Sequence, residues 1–170
     1  MLRLHKTYLT VLSCVLLAPS WVPAQPTNSD TVALLQDAMY LFNRYEEVVP
    51  GLNIDGWNTD AKTRRNSNEL RAKTSEAVEQ EKRRVSVMLN NRLWTSGELL
   101  DVYAQLVGVG MYLSHTSNQT FEHGDAHEAA ELSNLGNKVD VTAFKVYANL
   151  RVMLTQQESR LASCNAKGKK

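Results

Sequence analysis

The sequence predicts an all-α protein that resembles a four-helix bundle, with one extra short helix before the last long helix and a long loop after the first. Apolar residues recur at three- and four-residue steps along four long segments, which is typical of helices with one buried face. Stretches rich in Asn, Asp, Gly, Ser and Thr separate these segments and favour turns and helix caps. No convincing strand pattern remains, and a chain of 170 residues suggests one domain.

The first 24 residues have the features of a secretory signal peptide. Arg3 and Lys6 make a basic start, and residues 8–18 form an apolar core that is too short to span a bilayer. Ala24 supplies the small residue that precedes a cleavage site at Gln25. We therefore expect export, either to a periplasm or as a secreted protein, with no transmembrane span after cleavage.

The two cysteines decide whether the exported chain could be lipid-anchored or cross-linked by a disulfide. Cys14 follows a loose likeness to a lipoprotein cleavage box, so a lipid anchor at this residue is an alternative to simple export. Cys164 is then the one cysteine of the mature chain, which leaves no intrachain disulfide. We predict a single helical domain over residues 25–163 and a disordered basic tail over residues 164–170.

The charge of the mature chain is close to neutral. Removal of residues 1–24 leaves 17 basic and 18 acidic residues, a balance that argues against a dedicated nucleic-acid-binding protein. The expected partner is instead a protein or a component of the cell envelope.

The first helix is predicted over residues 31–49, and Pro50 and Gly51 end it. Residues 50–68 form a long connection, longer than the two to eight residues that usually join bundle helices. Trp57 stands in its middle, either folded back onto the domain or exposed as a recognition residue.

The second helix is predicted over residues 68–94, with a wet face supported by the acid-first pairs Glu69–Lys73 and Glu79–Arg83. Residues 99–113 are apolar nearly all round and predict a central, buried third helix, opened by a capping box at Thr95. Two glycines within it leave a strand as one alternative. A second alternative is that Ala104 and Gly108 let a neighbouring helix approach closely.

The predicted C-terminal half consists of a loop over residues 114–120, a short helix over residues 125–137 that Gly136 ends, and a long last helix over residues 138–164. The buried side of that last helix is predicted to carry six apolar residues: Val141, Phe144, Tyr147, Leu150, Leu154 and Leu161.

Between Arg92 and Lys138 the chain has no lysine or arginine. This stretch contains six acidic residues and all three histidines of the mature chain. Imidazole and carboxylate together suit zinc, copper or nickel, so this stretch is a candidate site for a divalent transition metal. On one continuous helix, His123, His127 and Glu131 would form a stripe at four-residue steps. The candidate metal ligands are His115, His123, His127 and Glu131.

A helix start at the same place is the competing interpretation. Asp125 is a good N-cap and Glu128 follows it at capping-box spacing, while Gly124 fits a turn before the helix. His123 would then lie outside the helix that contains His127, and the metal stripe would be broken.

No motif for nucleophilic catalysis, phosphate binding or haem attachment is present, so no catalytic residue is predicted. The first hypothesis is an exported helical bundle that acts by binding a partner; metal handling is the alternative, and a hydrolase with an unrecognised site is the third. The candidate partner-binding residues are Trp57, Lys82, Arg83 and Arg84.

Overall fold

The computed structural model describes residues 29–52 and 60–167. Four α-helices account for nearly all of these residues: α1 (Ser29–Val48), α2 (Ala61–Asn91), α3 (Ser96–Glu122) and α4 (Ala126–Lys167). A 3-10 turn at Val49–Gly51 follows α1. The predicted all-α class is confirmed, and no strand occurs in the described ranges. The predicted signal peptide, residues 1–24, lies outside them.

The helices pack in the order α1, α2, α3, α4 around a common core, and α4 returns beside α1. Thr31, at the start of α1, donates a hydrogen bond of 3.1 Å to Asn149, late in α4. Val48, at the end of α1, shares a surface hollow with Leu135, early in α4. The two helices therefore run antiparallel, and the pair α3 and α4 forms by far the most extensive contact in the molecule.

The core lies between all four helices and includes Phe42 of α1, Met88 of α2, Leu106 of α3 and Leu132 of α4, all fully or almost fully buried. Tyr45 sits among them. Its ring meets the ring of Tyr112 edge to face, with centroids 5.9 Å apart. Burial raises the pKa of Tyr45 to about 12, although its hydroxyl lies 3.4 Å from the Ser75 hydroxyl, whose hydrogen bond opposes the rise.

α2 begins at Ala61, seven residues before the predicted start. Asp60 caps it, because its carboxylate accepts a hydrogen bond of 2.8 Å from the Thr63 N–H. The described helix thus replaces the second half of the predicted loop, whose residues 53–59 lie outside the described ranges together with Trp57. The predicted capping box of α3 is confirmed, with the Thr95 side chain and Glu98 bonded reciprocally.

α3 continues through residues 114–120, where the sequence predicted a loop. The polar side chains that favoured the loop are satisfied within the helical hairpin. The hydroxyls of Thr116 and Thr120 donate to the carbonyls one turn earlier, at 2.9 and 2.8 Å, and the Ser117 hydroxyl donates to the Ala129 carbonyl of α4 at 2.8 Å. A hydroxyl that finds an acceptor can be buried at little energetic penalty, so these residues face inwards.

The predicted extra short helix is wrong, because α4 runs without a break from Ala126 to Lys167. Gly136, the predicted end of the short helix, is buried against α3. A Cβ added at Gly136 would lie 3.6 Å from the Leu113 Cβ, so the glycine marks a close helix contact instead of a helix end. At its other end α4 passes the predicted boundary at residue 163, and residues 164–167 of the predicted tail are helical.

The glycines of α3 also differ from the sequence prediction, which placed the close approach at Gly108. Gly108 is exposed, and a Cβ there would meet nothing within 4 Å. A Cβ on Gly110 would instead collide with the Asp140 carboxylate of α4. The close approach of α3 and α4 is therefore at Gly110.

This difference gives a matched pair of variants. Gly108→Ala should raise the free energy of unfolding by about 0.5–1 kcal/mol, because alanine restricts the unfolded chain and favours helix. Gly110→Ala should give a smaller gain or destabilise the fold, because the added methyl group meets the Asp140 carboxylate. Adding Asp140→Ala to the Gly110→Ala chain should recover the gain in the free energy of unfolding. Urea denaturation measures all three, and an equal gain from both single variants would contradict the contact at Gly110.

Candidate functional site

The structure places the predicted metal ligands on both sides of the α3–α4 turn. His115 lies on an exposed part of α3, and His123 is the C-cap residue of the same helix. His127 follows in the first turn of α4, and Glu131 is exposed one turn later. His123 and His127 thus belong to different helices, and the continuous stripe that would have joined them is absent.

The turn between α3 and α4 has the geometry of a helix start at Asp125, which was the competing interpretation. Gly124 adopts a φ of 92°, which glycine reaches without strain. The Asp125 carboxylate accepts a hydrogen bond of 2.9 Å from the Glu128 N–H, as an N-cap does. Partial burial raises the pKa of Glu128, and the neighbouring charges of Asp125 and Glu131 raise it further. Across residues 29–52 and 60–167, no three His, Cys, Asp or Glu side chains are close enough to hold a metal ion together.

The three basic residues of α2 that were predicted to bind a partner are engaged within the molecule. Lys82 forms an ion pair with Glu46 of α1, and Arg83 pairs with Glu79 one turn earlier at 3.1 Å. Arg84 bonds to Asp101 of α3. Lys82 and Arg84 therefore join α2 to its two neighbours, and an anionic partner would have to compete with carboxylates already in place.

A buried carboxyl group lies beside Arg84. Glu81 points into the core on the same stripe as Val78 and Val85, and only 6% of its surface is exposed. One carboxylate oxygen lies 3.4 Å from Arg84, while the other has no hydrogen-bond partner among the described residues. Burial raises the pKa of the Glu81 carboxyl above its ordinary value of 4.5, and the Arg84 charge opposes this.

A raised carboxyl pKa has a defined effect on stability. The folded protein holds the proton of the Glu81 carboxyl at a pH where the unfolded chain has lost it. The effect of this group on the free energy of unfolding is therefore most favourable below pH 4.5. As the pH rises from 4.5 through the folded pKa, that favourable contribution is lost.

Replacement of Glu81 with methionine should remove both the pH dependence and the unpaired oxygen. We expect Glu81→Met to raise the free energy of unfolding at pH 7 by about 1–3 kcal/mol, the range for an unsatisfied buried polar group. Its stability should also fall less between pH 4.5 and 7 than that of the parent. Glu76→Met, on the exposed side of α2, controls for helix propensity. Lower stability of Glu81→Met at pH 7 would show that the carboxylate is favourable where it lies.

The largest departure from the predicted core is on α4. Of the six residues predicted to be buried, only Leu150 is buried; Val141, Phe144, Tyr147, Leu154 and Leu161 are all exposed. The prediction is wrong because α4 carries two apolar stripes. The stripe that packs into the bundle consists of Leu132, Leu135, Val139, Ala143, Val146, Leu150 and Met153.

The second stripe lies beside exposed and half-buried apolar residues of α3, and we name the combined surface the hairpin face. Phe144 and Met111 are the most exposed large apolar residues on it, at 71% and 70%. The rings of Tyr103 and Tyr147 meet across the two helices, with centroids 5.3 Å apart. The hairpin face consists of Leu100, Tyr103, Val107 and Met111 of α3 and Phe144, Tyr147, Ala148 and Val152 of α4.

Along α4, the hairpin face contains an open hollow of about 460 Å³. Phe144 stands at one end of the hollow, Ala148 and Val152 line its middle, and Thr155 lies towards the other end. Arg151 borders it. The face therefore presents a protruding aromatic ring beside a recess of smaller side chains.

None of the helices in the described part of the chain is long and apolar enough to cross a membrane. No protein-family model matches the sequence, and comparison with curated proteins and with solved structures also finds no match.

Proposed function

We propose that this chain is an exported helical-bundle protein that acts by binding a partner protein through the hairpin face. One observation carries the proposal: α4 has two apolar stripes and the bundle buries only one of them. Single exposed apolar residues are ordinary, whereas a contiguous exposed group on two helices is typical of an interaction site.

The composition of the hairpin face supports binding. Phe144, Tyr147 and Met111 are of the residue types enriched at the centre of protein interfaces. Two exposed charged residues lie within it, since Arg151 lines the hollow and the Asp140 carboxylate lies against Gly110 between the two helices. Burial of one exposed phenylalanine alone contributes about 1.5–3 kcal/mol, enough for such residues to dominate affinity.

The hairpin face is a better docking surface than the basic patch of α2. Lys82, Arg83 and Arg84 already have carboxylate partners within the chain: the Lys82 pair is half-buried, and exposed ion pairs such as those of Arg83 and Arg84 contribute little when exchanged for others. The apolar side chains of the hairpin face have no such internal partners, so docking there removes apolar surface from water without breaking an existing contact.

Export itself is tested at the N-terminus. Expression of the full chain in a bacterium with a Sec pathway should give a product outside the cytoplasm whose mass begins at Gln25. An intracellular product that retains residues 1–24 would contradict export. A lipid-modified product beginning at Cys14 would show the anchored alternative instead.

Docking is tested by site-specific cross-linking. A photoreactive phenylalanine analogue at position 144 or 111 should give covalent adducts with one and the same partner, since both positions lie on the hairpin face. The same analogue at Gln80, an exposed residue of α2, is the control. Equal yields at positions 80 and 144 would contradict a binding site on the hairpin face.

A further inference from the structure

We propose that the partner that docks on the hairpin face is a second copy of this chain, with the two α4 helices packed antiparallel about a two-fold axis. The inference rests on the proposed function, because it names the occupant of the same surface. Two independent features support it: the shape of the face and the arrangement of its charges both match themselves under a two-fold rotation.

The shape argument starts from Phe144, which protrudes at one end of the hollow, and from Ala148, which stands one helical turn further on. Side chains of an α-helix lean towards its N-terminus. In an antiparallel second copy, the ring of Phe144 therefore leans towards the C-terminal side of the first copy's helix, where Ala148 and Val152 line the hollow. Each copy provides one ring and one hollow, so both rings are seated at once.

The charge argument uses residues on one side of this stripe. Asp140 lies one turn before Phe144, and Arg151 lies one turn after Ala148. When Phe144 of one copy is opposite Ala148 of the other, the antiparallel direction brings Asp140 opposite Arg151 of the second copy. Both residues are exposed, and neither forms an ion pair with any residue within 29–52 or 60–164; the Asp140 carboxylate lies against Gly110 of α3. The same register that seats the rings thus forms two intermolecular ion pairs.

Both features point to a second copy because a two-fold axis presents the same patch to itself. An unrelated partner has no reason to match a ring and a hollow, and an acid and a base, each about one helical turn apart and in opposite directions along one helix. The apolar residues of α3, with Met111 the most exposed, border the α4–α4 contact and extend the buried area.

The test is sedimentation equilibrium of the mature chain carrying Cys164→Ser, so that a disulfide through this exposed cysteine cannot join copies. We expect a dimer whose Kd is no higher than about 100 µM. Phe144→Asp should raise that Kd by roughly 30-fold or more, the size of an interface hot spot. Val87→Asp, which introduces the same charge at an exposed valine of α2, should leave the Kd unchanged.

The charges test the register. Asp140→Arg and Arg151→Asp should each weaken the dimer, by about threefold to tenfold, because each places like charges opposite one another. The double variant restores both ion pairs with reversed polarity and should return the Kd to near its original value. Circular dichroism confirms that each variant keeps its helix content.

Three results would overturn the proposal: a monomer at every concentration, a dimer that tolerates Phe144→Asp, or a double charge variant no tighter than the single ones. A monomer in which position 144 still cross-links to a different protein would remove the dimer and leave the proposed function standing. A monomer with no adduct at position 144 would remove both.

Discussion

The close antiparallel packing of α3 against α4 is the interaction on which the rest of the structure depends. The backbones come near each other at Gly110 and Gly136, two buried glycines on facing helices. This contact places one apolar stripe of α4 in the core. The second stripe, which includes Phe144, lies on a different side of the same helix and is left on the surface, because among the described elements α4 packs mainly against α3 and α1.

The second helix is held by a different balance of forces. Its buried stripe includes few large side chains, among them Met88, and ion pairs from Lys82 and Arg84 reach the helices on either side. The Arg84–Asp101 pair is exposed and contributes little to stability, the Lys82–Glu46 pair is half-buried, and the buried Glu81 carboxyl opposes stability at neutral pH. α2 therefore buries fewer apolar residues than its neighbours, and Lys82 and Arg84 link it to the helices on either side.

Much of the fold follows from local sequence signals. The capping box at Thr95, the acid-first pair Glu79–Arg83 and the helix start at Asp125 are present as predicted, because each depends on residues within one helical turn. The predicted loop at 114–120 and the predicted helix end at Gly136 failed for a common reason. Their polar or small residues are stabilised by contacts with the other helix of the hairpin, which periodicity along one segment does not reveal.

The candidate surface was harder to predict than the fold. Phe144 and Tyr147 have helical spacing with Leu150, so the simplest reading places all three in the core. Residues such as Leu132, Val139 and Val146 form a second stripe of the same kind, and only packing decides which stripe the bundle buries. The signal available in the sequence was an excess of apolar residues on the last helix, more than one buried face requires.

The hairpin face joins these observations, since the packing that buries one stripe of α4 leaves the other on the surface. Association through the hairpin face is tested most directly by hydroxyl-radical footprinting of residues 25–170, read residue by residue at low and high protein concentration. Phe144 and Met111 should be oxidised rapidly in dilute protein and be protected as copies associate, while Tyr40, exposed on α1, keeps its rate. Unchanged oxidation of Phe144 and Met111 across that range would contradict association through the hairpin face.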